Sequence, residues 1–260
     1  MKRPAAPPEA RHPGAWPSYR LALLDQDLLR SPEMRGVRLQ LESTKADLAL
    51  QKAGIRSTLV VFGSARVREH GPGDHARWYD EARTFGRIAS ERGGALNPID
   101  GVRDNVIATG GGSGIMEAAC RGAADAGAPA IGFNIRLPHR QAPNAYTTPE
   151  LTFQFHYFAI RKLHLAMRAR ALVVFPGGFG TLDELFEILT LRQTRRMGRV
   201  PIILVDETYW RTLVNWDFLV TAGMLQPRDL KLITFARDAE HAWTLLSHAK
   251  DVVTVQAMLG

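Results

Sequence analysis

The sequence predicts an α/β protein: one parallel, doubly wound sheet preceded by an N-terminal helical extension. Three observations carry that expectation. Six short apolar runs lack the polar alternation of a half-exposed sheet, as strands buried on both faces do. Amphipathic stretches of helical period separate them, the rhythm of strand–helix–strand units. The first 54 residues hold no such strand-like run and read as a separate region, which gives the boundaries 1–54 and 55–260.

Taken in order, five of the 15 prolines fall in the first 17 residues, so the chain opens on an irregular arm. From Tyr19 to about Ala53 the pattern turns helical. Leu21, Leu24, Leu28 and Leu29 lie in one stretch, and Val37, Leu41 and Leu48 at helical spacing in a second. Two helices packed on the main domain are expected, with a dimerisation or partner-binding element as the alternative. After Gly54 come the strand candidates Thr58–Phe62, Val106–Thr109, Ala130–Phe133, Ala171–Phe175, Pro201–Val205 and Leu232–Phe235. Helices are expected near 76–92, 114–126, 158–170, 181–195, 208–222 and 238–249.

Composition narrows the function. With 45% hydrophobic and 23% charged residues the 260-residue chain is globular rather than disordered. Its 23 glycines and 15 prolines follow no period, which removes collagen and solenoid readings. A single cysteine, Cys120, cannot make an internal disulfide or a structural zinc site, and points to a reducing compartment. No apolar run approaches the roughly 20 residues that span a bilayer, and the opening MKRPAAPPEARHPG has no apolar signal core. The expectation is a soluble, cytoplasmic protein without membrane partners. The net charge of +7 is spread along the chain rather than gathered in a basic block. It therefore suits small anions better than nucleic acid.

Open parallel sheets bind ligands at the carboxyl ends of their strands, and three such ends here are small or glycine-rich. They are Phe62-Gly63-Ser64-Ala65-Arg66, Gly110-Gly111-Gly112-Ser113-Gly114, and Pro176-Gly177-Gly178-Phe179-Gly180-Thr181. Glycines let backbone N–H groups approach an anion, and a helix N-terminus adds a favourable dipole. Both long loops therefore suit phosphate. Neither follows G-x-G-x-x-G, since Ile115 and Asp183 occupy the third glycine positions, and no Gly-Lys pair exists for a Walker A loop. Nicotinamide-dinucleotide and P-loop chemistry are thereby disfavoured.

These residues carry a family resemblance. GGGSGIMEAA at 110–119, Arg161-Lys162 at a helix start, and PGGFGTLDE at 176–184 resemble the LOG family of cytokinin riboside 5′-monophosphate phosphoribohydrolases, once labelled "lysine decarboxylase". The motif PGGxGTxxE matches at every specified position, and the resemblance spans roughly residues 56–235. It implies a Rossmann-like fold, a homodimer or higher oligomer, and hydrolysis of AMP or N6-prenyl-AMP to free base and ribose 5-phosphate. It implies Arg161 and Glu184 as the catalytic pair. Phe62-Gly63-Ser64-Ala65-Arg66 departs from the usual Cys-Gly-Ser-Ser start, and the N-terminal extension is long; both bear on substrate preference.

Chemistry supports the same assignment. Cleaving an N-glycosidic bond builds oxocarbenium charge on the ribose, which a nearby carboxylate stabilises. Glu184, one turn into a helix whose N-terminus would hold the 5′-phosphate, stands about one ribose away, with Glu187 expected to support it. Arg161 rarely donates a proton, so it is expected to position and to act electrostatically. Phosphate and substrate contacts are expected from Gly63, Ser64, Gly111, Gly112, Ser113, Lys162, Gly177, Gly178, Gly180 and Thr181. No metal or organic cofactor is required.

Plainer readings compete with these. Thr181-x-x-Glu184 also fits a helix capping box, and Arg161-Lys162 a solvated helix surface. Met116 and Glu117 fit packing and surface roles. His156 and His164 are too far apart for helical metal ligands, and Cys120 reads as a small buried residue. Arg192, Arg195, Arg196 and Arg199 fit a solvated helix end, with anion attraction or a subunit contact as alternatives. A non-catalytic protein binding a nucleotide or phosphorylated cofactor is the rival to the enzyme. A decarboxylase would need a lysine placed for pyridoxal phosphate, and no lysine stands in such a context.

Overall fold

A computed structural model describes residues 16–138 and 142–249. Most of the proline-rich arm lies outside the described residues. The chain divides into two compact units, 1–42 and 43–260, so the division falls inside a helix rather than at 54/55.

In the first unit the leucine-rich stretch does not make one long helix. It forms 3-10 turns at Pro17–Tyr19, Ala22–Leu24 and Pro32–Met34 around a five-residue α1, Gln26–Arg30. The Asp25 carboxylate caps α1 by accepting the Asp27 and Leu28 amides, both at 3.1 Å. Helix α2, Arg35–Lys52, follows. The positions that spacing selects on it are the exposed ones: Val37, Leu41 and Leu48 are 39%, 53% and 59% exposed. Ala46 and Leu50 are buried instead, with Ala49 and Ala53 partly so. That second stripe also has helical spacing, but its small side chains make a weak hydrophobic signal.

In the second unit seven parallel strands form one sheet. They are β1 (Thr58–Phe62), β2 (Val106–Thr109), β3 (Ala130–Ile135), β4 (Thr152–Phe155), β5 (Ala169–Val174), β6 (Ile202–Val205) and β7 (Ile233–Ala236). The spatial order is β4-β3-β2-β1-β5-β6-β7. The order reverses between β1 and β5, which pair in parallel from Leu59 opposite Ala171 to Phe62 opposite Val174. This is the topological switch point, outside which doubly wound sheets open a crevice.

Alternate strand residues feed two separate cores. On one face Leu59, Val61, Ile107 and Val173 meet α3 (His75–Gly93), α4 (Ile115–Asp125) and α9 (Ala239–His248). On the other, Val60, Ala108, Phe133 and Leu172 meet α5 (Phe158–Met167) and α6 (Phe179–Gln193). Both faces are therefore dry, which is why the strands read as unbroken apolar runs.

Two elements differ from the sequence expectation. Strand β4 has no predicted counterpart. It is a four-residue edge strand, with Phe153 and Phe155 buried and Gln154 exposed, too short and too alternating to read as a buried run. The helix expected over 208–222 is two: α7 (Glu207–Leu213) and α8 (Trp216–Thr221). Val214 is extended between them, and Asn215 restarts the helix by accepting the Phe218 amide at 2.9 Å.

Candidate active site

The carboxyl ends of β1 and β5 open onto a cleft of about 920 Å³, within the range of small-molecule sites. Its floor is knitted from the three predicted loops. Ser64 N–H donates to the Pro176 carbonyl (3.0 Å), Ile115 N–H to the Ser64 carbonyl (3.1 Å), and Ser113 Oγ to the Ala65 carbonyl (3.0 Å). Gly63 has to be small: a β-carbon there would lie 2.5 Å from the Ile115 side chain. Gly177 is similarly confined, by the Thr181 hydroxyl and, at 2.9 Å, by the Ser64 nitrogen.

Helix α6 begins at Phe179, two residues before the expected start, with Gly178 at the N-cap. The capping box is therefore not formed, because Thr181 sits inside the first turn rather than ahead of it. No side chain caps the helix, and first-turn amides are orphan donors by geometry. Gly178 and Gly180 are exposed and have open space where a β-carbon would stand. Together with Gly177 and Thr181 they line the cleft.

On the next turn stands Glu184, 4% exposed. Its Oε1 accepts from Arg161 Nη2 at 2.9 Å, the guanidinium reaching across from α5. Burial pushes the Glu184 carboxyl above its ordinary range, and Arg161 and Lys162 partly oppose this. Arg161 also lies 5.4 Å from the Phe158 ring centroid, and its Nε is buried with no partner among the described residues. Arg161 and Glu184 both line the cleft, so Arg161 is not a solvated surface cation.

The other expected residues fall in two places. Gly63 and Ser64 line the cleft; Gly111 and Gly112 are buried behind its wall. The Gly111 carbonyl accepts from the Asn134 side chain (3.2 Å) and the Gly112 carbonyl from Asn144 (2.9 Å), while Gly110 faces the cleft. Lys162 turns away and bridges Asp183 at 2.8 Å and Glu187 at 2.9 Å. Glu187, expected to support Glu184, is thus paired with Lys162. Met116, expected to pack, lines the cleft, whereas Glu117 accepts from the Tyr79 hydroxyl at 3.1 Å. Further along α6 and outside the cleft, the Thr190 hydroxyl donates to the Phe186 carbonyl and Gln193 Nε2 to the Asp229 carboxylate.

Sequence reasoning missed the cleft's aromatic wall. Trp78 from α3 and Tyr209 from α7 meet edge to face at 5.5 Å. Asp206 holds both: its carboxylate accepts from the Trp78 indole at 2.8 Å and from the Tyr209 amide at 3.2 Å. The Tyr209 hydroxyl in turn donates to the Gly177 carbonyl at 2.9 Å. Phe158 and Phe179 are 52% and 93% exposed at the rim. Phe179 and Tyr209 stand just after the ends of β5 and β6, a signal the sequence offered, whereas Trp78 lies far beyond β1 and Phe158 follows the unpredicted β4. Cys120 is buried and burial raises its thiol to about 11, so it is inert. Among the described residues no cluster of three His, Cys, Asp or Glu could hold a metal.

Fold and site together define a Rossmann-like α/β protein. Its switch-point cleft combines an uncapped helix N-terminus with a buried Arg–Glu pair. The family model described as "Possible lysine decarboxylase" matches residues 116–246, and the chain belongs to that family, the LOG family. Relatives include a probable cytokinin riboside 5′-monophosphate phosphoribohydrolase, LOGL5, of Oryza sativa subsp. japonica. It is 29% identical over 65% of this chain and 64% of that one. Cytokinin riboside 5′-monophosphate phosphoribohydrolase LOG7 of Arabidopsis thaliana is 34% identical over 31% and 37%. The matches thus span between about a third and two thirds of these relatives' lengths. Two solved structures share the fold. The structural-genomics target TM1055 has a TM-score of 0.52 at 20% identity, over 74% of this chain and 99% of that one. A molybdenum cofactor binding protein from Rippkaea orientalis has 0.50 at 19%, over 74% and 96%.

Proposed function

We propose that the protein hydrolyses the N-glycosidic bond of a nucleoside 5′-monophosphate, AMP or N6-prenyl-AMP, releasing free base and ribose 5-phosphate. The buried Arg161–Glu184 pair beside an uncapped helix N-terminus carries this reading. The named activity of the family relatives supports it. The 5′-phosphate rests on the first-turn amides of α6, with Gly177, Gly178, Gly180 and Thr181 around it. The ribose then reaches Glu184, whose carboxylate stabilises positive charge developing at C1′ and orients the attacking water. A carboxylate with a raised pKa is also a better base for that water. Arg161 holds the carboxylate in place and balances its charge. The base lies toward Trp78, Tyr209 and Phe158, where an apolar N6 substituent finds apolar surface. Substrate choice within this class and a homodimeric or higher assembly belong to the same proposal.

Decarboxylation, which the family's description suggests, would require a lysine at the cleft to carry pyridoxal phosphate. No lysine lines it among the described residues, and Lys162 is held in two ion pairs. The direct test is incubation with AMP and with isopentenyl-AMP, followed by product analysis. Free base and ribose 5-phosphate are expected, and Glu184→Ala should abolish both while the far-ultraviolet circular dichroism stays unchanged. Adenosine plus phosphate would show that another bond is cut. Tight binding without turnover would make the protein a nucleotide or phosphorylated-cofactor carrier.

A further inference from the structure

We propose that a second pocket, between the C-terminal end of α6 and the 3-10 turn Pro227–Leu232, is a binding site for a small phosphorylated anion. The pocket holds about 500 Å³ and shares no lining residue with the cleft. Arg192, Arg195 and Arg228 line it, and Asp229 is its one acidic lining residue. That carboxylate is already engaged, accepting the Gln226 amide at 3.0 Å and Gln193 Nε2 at 2.9 Å. Three arginines against one aspartate leave the lining with a net positive charge in a concave space of ligand size.

A second observation concerns the backbone. Helix α6 ends in a Schellman motif: Arg196 N–H donates to the Leu191 carbonyl at 2.8 Å and Arg195 N–H to the Arg192 carbonyl at 3.2 Å. The residue after the C-cap is Arg195, at φ +60°. Glycine is the usual occupant of that left-handed position, and any other residue there is strained. The helix dipole favours a cation somewhere in the last turn, which Arg192 already supplies. It does not ask for one at the strained position. An arginine at that position sets a cationic side chain on the pocket lining, where a bound anion would give it a partner.

Arg192 points the same way. Its Nη1 donates to the Gly198 carbonyl at 2.7 Å, but its Nε is buried without a partner among the described residues. Burial and the Arg199 charge both work against its charged form, a cost that a bound anion would offset. Arginine forks match phosphoryl oxygens in pairs. Arg192 lies eight residues beyond Glu184 on the same helix, a rise of about 12 Å, so an occupant here would sit on the helix that carries Glu184.

Titration calorimetry of the full chain with inorganic pyrophosphate tests this. The double variant Arg195→Gly/Arg228→Gln should lose one binding event, or weaken it at least tenfold. Its melting temperature should not fall, because glycine relieves the left-handed backbone. That combination separates lost binding from lost folding. Pyrophosphate binding unchanged in the double variant would overturn the proposal. So would an equal loss in Arg237→Gln, an exposed arginine outside the pocket, or no binding by the wild type. The site does not depend on the nucleotide reading, since a pyrophosphate event that survives the double variant belongs to the cleft.

Discussion

Glu184 sets a stability cost against the catalytic role proposed for it. Its carboxyl is raised above the ordinary carboxylate range because burial outweighs the attraction of Arg161 and Lys162. A raised acid pKa means that the folded protein binds the proton more tightly than the unfolded chain. This contribution therefore erodes stability as pH rises through the window between the ordinary and the raised value. Replacing the charge with a neutral isostere should remove the penalty. Glu184→Gln is expected to melt no lower than wild type at pH 7 while losing turnover, a trade between stability and activity. A lower melting temperature would show that the Arg161 interaction outweighs the burial. The wild-type rate should rise with pH as Glu184 ionises, at a midpoint above that of an ordinary glutamate. A pH–rate profile of kcat would detect this.

At the scale of elements, the close packing of α3 on α4 sets the wall behind the Gly110–Gly114 loop. Two glycines permit the approach. A methyl at Gly122 would run into the Arg83 carbonyl and lie 2.7 Å from the Arg87 nitrogen, and one at Gly86 would run into the Ala119 carbonyl. These are backbone atoms, which cannot swing aside as a side chain can. Gly122→Ala should therefore destabilise by about 1–3 kcal/mol despite the better helix propensity of alanine, measured by urea unfolding. At the exposed Gly36, which has nothing within 4 Å of a β-carbon, the same change should be neutral or stabilising. Helices α5 and α6 are tied differently, by Lys162 bridging Asp183 and Glu187 on either side of Glu184. That bridge aligns the two helices that supply Arg161 and Glu184. Its partly exposed carboxylates make it a modest contributor to stability.

At the scale of the molecule, the two units have unequal internal support. No described residue between 16 and 34 is buried, whereas the sheet unit contains two dry cores. A chain starting at Arg35, which keeps α2 whole, should unfold cooperatively within a few degrees of the full chain. A large fall in melting temperature would give the removed segment a structural role. Among the described residues no helix is long and apolar enough to cross a membrane. Most of the +7 charge is spread over the chain, and the second pocket, with three arginines against Asp229, holds a local share of it.

The sequence by itself determined the architecture and the parts of the site that lie within one strand-to-helix turn. Strands buried on both faces have to be apolar at every position, so β1, β2, β5 and β6 announced themselves. Turns where backbone is approached closely need glycine, so PGGFGT and GGGSG did too, although Gly111 and Gly112 stand behind the cleft wall. Sequence did not show β4, whose alternating edge pattern is shared with loops, or the break between α7 and α8, which rests on the cap at Asn215. Only tertiary structure decided which of two competing faces α2 buries, and that Lys162 turns to Asp183 and Glu187 instead of the cleft. It also decided that α3 and α7, distant in the chain, bring Trp78 and Tyr209 to one wall through Asp206. The physical reason is range. Local patterns encode backbone geometry and burial, whereas a side chain's partner depends on which elements the sheet order sets side by side.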